Sequence, residues 1–251
     1  MSLFWTYAGA LLLLVWAALY AGWLISRRRG WIGAVDGRRG PPPQVGLALS
    51  FSALSSGAVI VALLASAWRA SPLVIDMHAQ ALARQAWSPA TESVMRVVTW
   101  LGDPLLLGVV GAVVGLGLLV TRRPVLLISW LFALFGNSWL NPALKELYAR
   151  IRPIAEVEAG AFTGYSFPSG HTSGAMVCYG MLAYLCWRLA PERLVLPAMW
   201  GAASIVILVG ASRILLQAHY LSDVIGGCAS GAAWLALTIA AGRVVAKAWH
   251  N

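Results

Sequence analysis

Of 251 residues, 60% are hydrophobic and 11% charged, where a water-soluble domain carries about 25% charged residues. That deficit excludes an ordinary soluble domain and places the chain in the membrane class. The net charge of +9 is scattered among apolar runs, which reads as loop charge beside a bilayer and not as a nucleic-acid-binding face.

A helix crosses the bilayer with about 20 apolar residues, and the first stretch that qualifies is 3–26. It has no basic residue ahead of its apolar core, while Arg27, Arg28 and Arg29 follow it. It therefore reads as an anchor with its N-terminus outside and not as a cleaved signal. Residues 27–44, rich in Arg, Gly and Pro, form a cytoplasmic linker, so 1–44 is one unit and 45–251 the second. The second span is 45–67. A longer outer segment follows at 70–103, with short interfacial helices expected around 74–86 and 90–99. Spans three and four are 104–121 and 124–143, and Gly111 and Gly115 in the former give a close helix-packing pair. Spans five, six and seven are 172–189, 194–212 and 222–246. Cys178, Cys186 and Cys228 lie inside apolar runs at no metal-binding spacing.

Seven alternating spans put Arg27, Arg28, Arg29, Arg38, Arg39, Arg122, Arg123, Arg188, Arg193, Arg243 and Lys247 on one side. The positive-inside rule makes that side cytoplasmic. Arg69, Arg84, Arg96, Lys145, Arg150, Arg152 and Arg213 fall outside. The expectation is an all-α polytopic transmembrane bundle in the inner (plasma) membrane, N-terminus out and C-terminus in.

Three segments place polar residues at the outer ends of spans four to seven. In the first, Lys145 and Arg152 are seven residues apart and share a face if the helix continues. Asn137 and Asn141 extend that stripe into the span, and Pro153 ends it. Two cations on one face suit a phosphate, although basic interfacial anchors look the same. In the second, Pro168-Ser169-Gly170-His171 precedes span five. Backbone N–H groups at a helix start favour an anion there, and an ordinary N-terminal cap is the plain alternative. In the third, Arg213 ends span six and His219 and Asp223 stand four apart, facing each other if helical. The carboxylate would hold one imidazole nitrogen and leave the other free as nucleophile or base. Ionisable groups opening a membrane helix point to function. Three cations, two histidines and an aspartate at one membrane face can bind and attack a phosphoryl group.

These residues resemble the type 2 phosphatidic acid phosphatase superfamily, whose pattern is Lys-x6-Arg-Pro, Pro-Ser-Gly-His and Ser-Arg-x5-His-x3-Asp. All three occur in order without departure. The resemblance runs from about residue 45 to 246 and implies a six-helix phosphatase core, to which 3–26 is an addition. It implies that His219 attacks phosphorus, that Asp223 orients it, and that His171 protonates the leaving oxygen and then activates water. Lys145, Arg152, Arg213, Ser169 and the Gly170 N–H would cradle the phosphate oxygens, with no metal and no cofactor. His219 should then be neutral while His171 is protonated, the cations countering Asp223.

The expected partners are the bilayer and a lipid phosphate, with undecaprenyl diphosphate the first guess by family habit. Phosphatidylglycerol phosphate, phosphatidic acid and lipid A phosphate are the others. Asp76, Glu156 and Glu158 are placed as shapers of headgroup selection. A lipid phosphotransferase using the same phosphohistidine is the nearest rival. A transporter is disfavoured because its ionisable groups would sit near the midplane.

Overall fold

The computed structural model describes residue 20 and residues 72–153 and 164–249, with side chains to 246. Its helices are α1 (Val74–Ala86), α2 (Pro89–Thr99), α3 (Pro104–Val120), α4 (Pro124–Tyr148), α5 (Gly170–Leu189), α6 (Glu192–Leu215) and α7 (Leu221–Trp249), with a 3-10 turn at Trp100–Gly102. Local chemistry sets several of their ends. The Ser88 side chain caps α2 by accepting from the Thr91 N–H at 3.1 Å, and Asp103 caps α3 through the Leu105 N–H at 2.8 Å. A proline follows each cap at the first helical position, where its missing N–H costs nothing.

The C-terminal ends decide where the candidate residues stand. Helix α4 stops at Ala149, whose left-handed backbone (φ 46°) turns its N–H onto the Lys145 carbonyl at 2.8 Å. Arg150 and Arg152 therefore stand on the non-helical segment that follows the helix. They do not continue the Lys145 face by two turns, which the seven-residue spacing would give only if the helix continued. Pro153 agrees with this, since it disfavours helical backbone at Arg152. Helix α6 ends at Leu215, and Gln217 (φ 58°) turns the chain before α7.

Helix α5 is the hub, packing against α3, α4, α6 and α7. Its Ala175, Val177, Cys178 and Met181 are fully buried in one cluster with Trp130 and Val209. Close approach of α7 to α5 depends on glycine. A Cβ on Gly227 would lie 2.6 Å from the Ser169 carbonyl oxygen, and one on Gly231 2.9 Å from that of Ser173. The Gly111 pair also behaves as expected: its carbonyl accepts from Trp130 Nε1 at 2.9 Å, and both glycines are buried. Helix α1 packs against α6 and α7, and α2 against α6, where Ala79, Ala83, Ala86 and Met95 meet Ile214, Leu215 and Val224.

Helices α4, α6 and α7 are long and apolar enough to cross a membrane, as expected. The α2 segment and α3 together make a fourth candidate bent by 42°. Helix α5 does not reach that apolarity. Wrapped by four other helices, it meets protein along much of its surface and needs less lipid-compatible surface. The expected spans 3–26 and 45–67, the linker 27–44, and Glu156 and Glu158 lie outside the described residues, apart from helical Tyr20. The fold is an all-α transmembrane bundle.

Candidate active site

His219 and Asp223 meet across the start of α7 and not along a helix. His219 stands in the turn before Leu221, and Asp223 in the first helical turn reaches back to accept from the Tyr220 N–H at 2.9 Å. His219 Nδ1 lies 3.5 Å from Asp223 Oδ2, which is long for a hydrogen bond. Ser166 fills the gap, donating to Asp223 Oδ2 at 2.5 Å with its Oγ 3.3 Å from His219 Nδ1. The pairing at Nδ1 leaves Nε2 as the ring atom for chemistry. No sequence rule singled out Ser166, although it lies two residues before Pro168 of the second motif.

The cations arrive from three elements. Lys145 Nζ, on the last turn of α4, donates to the Tyr165 carbonyl at 3.0 Å. Arg152 Nε donates to the Gly164 carbonyl at 3.1 Å, and another of its guanidinium nitrogens to the Ala218 carbonyl at 3.0 Å. Arg213 on α6 donates to Thr99 Oγ1 at 2.9 Å. Lys145 feels the charges of Arg152, Asp223 and Arg213, so the three lie in one electrostatic neighbourhood. Each also braces the backbone or side chain of a segment that frames the others.

The Pro168–His171 segment packs against the Asp223 turn and α4. Ser169 is fully buried, accepting from Thr172 Oγ1 at 3.0 Å and giving its N–H to the Asp223 carbonyl at 3.0 Å. Gly170 opens α5 at an N-terminus with no side-chain cap, so the first N–H groups of that turn have no intrahelical acceptor. A Cβ on Gly170 would sit 3.1 Å from Asn141 Oδ1. Asn141, the polar residue inside span four, donates to Ser173 Oγ at 3.1 Å and to the Pro168 carbonyl at 3.4 Å. The polar stripe of α4 thus orders the second motif. His171 is half-buried, and the charges acting on it belong to Arg213, His219, Asp103 and Lys145.

Burial pulls the His219 ring down to about 4, the strongest influence, against the opposing pull of Asp223 and with help from Arg213 and Arg152. A neutral His219 was expected from the cations, but desolvation is the larger cause. Positive groups outnumber Asp103 around His171. Among the described residues, Asp103 is the one carboxylate acting on the expected imidazolium there, and it acts by charge, without the close pairing that His219 has with Asp223.

Behind Asp223 lies a layer of charge that sequence reasoning missed. Arg150 donates to Asp223 Oδ1 at 2.5 Å, to Ser222 Oγ at 2.8 Å and to Asp76 Oδ2 at 2.9 Å. Its guanidinium stacks on the Tyr220 ring at 4.5 Å. Asp76 is 0% exposed, so its assignment as a headgroup contact is corrected: it faces inward, beneath the His219 turn. The only sequence signal was that Asp76 and Gln80 stand four apart among apolar residues, spacing that gives one helix face.

The chain is similar to known proteins in sequence and in fold. The PAP2 superfamily model matches residues 126–245. Phosphatidylglycerophosphatase B of Bacillus subtilis is 32% identical over 164 residues, covering 61% of this chain and 74% of that protein. Lipid A 1-phosphatase of Rhizobium johnstonii is 33% identical over 136 residues, covering 48% of this chain and 51% of that protein. A crystal structure of a transmembrane PAP2-type phosphatidylglycerolphosphate phosphatase from Bacillus subtilis superposes with a TM-score of 0.63 at 26% identity, covering 74% of this chain and 94% of that one. Motif, fold and relatives agree that this chain belongs to the PAP2 superfamily, among its bacterial-like membrane lipid phosphatases.

Proposed function

We propose that the chain is a metal-independent hydrolase of a lipid phosphate, working through a phosphohistidine on the extracytoplasmic face. The observation that carries this is the meeting of His219 and Asp223 with Lys145, Arg152 and Arg213 at the end of the bundle where α5 begins. His219 Nε2 attacks phosphorus, and the N–P bond forms as the bond to the lipid oxygen breaks. His171 gives that oxygen its proton. Water then yields a proton to His171 and attacks the phosphohistidine, restoring His219 and releasing inorganic phosphate. The arriving phosphate dianion supplies the negative charge that a protonated His171 lacks in the unliganded site. Positioning and charge neutralisation carry most of the catalysis in phosphoryl transfer. In this reading the three cations, Ser169 and the uncapped α5 N-terminus supply that neutralisation.

The first substrate to consider is phosphatidylglycerol phosphate, because the relative with the longer match acts on it by name. Undecaprenyl diphosphate, phosphatidic acid and lipid A phosphate follow. The extracytoplasmic assignment rests on the Arg and Lys distribution among loops. The test is phosphate release from these four lipids by detergent-purified protein with EDTA present. Release should persist in EDTA and fall at least ~10³-fold in His219→Ala, as loss of a nucleophile does. Label appearing on an added acceptor lipid instead of as free phosphate would identify a phosphotransferase. Loss of release in EDTA would remove the metal-independent mechanism.

A further inference from the structure

Asp76 lies on α1, upstream of the residues that match the family model, yet its fully buried carboxylate contacts the nucleophile's turn. It accepts from the Ser222 N–H at 2.9 Å, the Ser222 hydroxyl at 2.7 Å, the Leu73 N–H at 3.1 Å and Arg150 at 2.9 Å. One turn along, Gln80 Nε2 donates to the His219 carbonyl at 3.0 Å. The geometry points to α1 as the positioning element of the nucleophile: Asp76 acts through Arg150 to set the charge that Asp223 presents to His219, and Gln80 holds the backbone of the same turn. This rests on the phosphohistidine reading above.

The argument is electrostatic as well as geometric. As the N–P bond forms, the His219 ring gains positive charge, and Asp223 stabilises it. Arg150, in direct contact with Asp223, opposes that stabilisation. Asp76 offsets Arg150 from its far side, so two carboxylates share one guanidinium and Asp223 keeps part of its field for the ring. A packing clamp alone needs no such arrangement, because an uncharged side chain would hold α1 as well. Around the ring, α7 brings Asp223, α6 Arg213, the segment after α4 Arg150 and Arg152, and α5 His171. Lys145 of α4 acts on Asp223, and Asp103 at the start of α3 on His171. Helix α2 holds its Arg96–Glu92 pair away from the site, with Arg96 70% exposed.

Asp76→Asn removes the charge and keeps a carbonyl oxygen for the Ser222 N–H. It should lower kcat roughly tenfold to a hundredfold, as misplaced support does, with KM within about twofold, because Asp76 does not reach the substrate. Removing a negative charge and exposing Arg150 both disfavour the imidazolium, so the His219 ring should titrate at lower pH. Gln80→Met should reduce kcat without moving that titration. The full chain in detergent would be assayed on phosphatidylglycerol phosphate micelles, with ¹³C-labelled histidine resonances followed across pH and His219→Ala used for assignment. An Asp76→Asn protein with wild-type kcat and titration overturns the proposal. So does a loss of activity that only tracks the folded fraction, with the titration unmoved. If the wild type releases no phosphate from any of the four lipids named above, the hydrolase reading fails by itself, and the ring titration still decides the role of Asp76.

Discussion

At the scale of single residues, Ser166 and His219 make distinct demands. Ser166 joins Asp223 to the imidazole, and a hydrogen bond to a charged group contributes about 1.5–3 kcal/mol. Ser166→Ala should therefore cut kcat about tenfold or more, with little change in KM, in steady-state phosphate release. His219 gives a pH signature. Its ring titrates at about 4 in the folded protein, against about 6.5 unfolded. Between those values the unfolded chain takes up a proton that the native state refuses. Stability from this group is thus complete above pH 6.5, is lost as pH falls toward 4, and changes no further below. The melting temperature in detergent should drop from pH 7 to pH 5, and His219→Gln should shrink that drop; an unchanged drop would contradict a buried neutral ring. Of the residues concerned, His219 and Asp223 were legible because ionisable groups at the mouth of an apolar run are expensive. Ser166 was not, since a serine in a Gly- and Pro-containing loop carries no signal until its partners are in place.

At the scale of elements, helix ends and glycines set the site. Continuing α4 through Arg152 would be the simplest extension of its pattern, but the left-handed Ala149 and Pro153 stop it. Lys145 and Arg152 then reach the site by different routes. Close packing supplies a paired test. Gly227→Ala pushes a Cβ to 2.6 Å from a backbone carbonyl that cannot rotate away. Overpacking of that kind costs about 1–3 kcal/mol and would displace the start of α5, so both melting temperature and kcat should fall. Gly108→Ala on α3 meets nothing within 4 Å and should leave stability equal or raise it by up to about 1 kcal/mol, the helix preference of Ala over Gly. Thermal melting of the two variants side by side checks the contrast. The short helices expected around 74–86 and 90–99 in the outer segment are present as α1 and α2. That the first turns Asp76 and Gln80 into the His219 turn was not legible, because an acidic residue in the first turn of a helix is ordinary at a water interface too.

For the whole molecule, loop charge makes a prediction about sidedness. In a chain with Cys178, Cys186 and Cys228 replaced, Gln85→Cys in the last turn of α1 should react with a membrane-impermeant maleimide in intact cells. Thr121→Cys, between α3 and α4, should react only after permeabilisation; the reverse pattern would invert the topology. Both positions are exposed. Arg243 stacks 5.8 Å from Trp187, so the far ends of α7 and α5 meet at the bundle end opposite His219, as alternating spans require. Composition and motif spacing by themselves determined the membrane class, the all-α architecture, the family and the polar residues gathered at one end, since apolar run length and ionisable groups at span ends carry strong local cost. Only the tertiary structure decided which basic residues face which acids. Arg150 and Arg152 are two residues apart on the same non-helical segment, yet one is locked between Asp76 and Asp223 and the other braces Gly164 and Ala218. Local sequence cannot distinguish them, because the pairing of a buried charge is set by groups tens of residues away that only the packed helices bring within hydrogen-bonding distance.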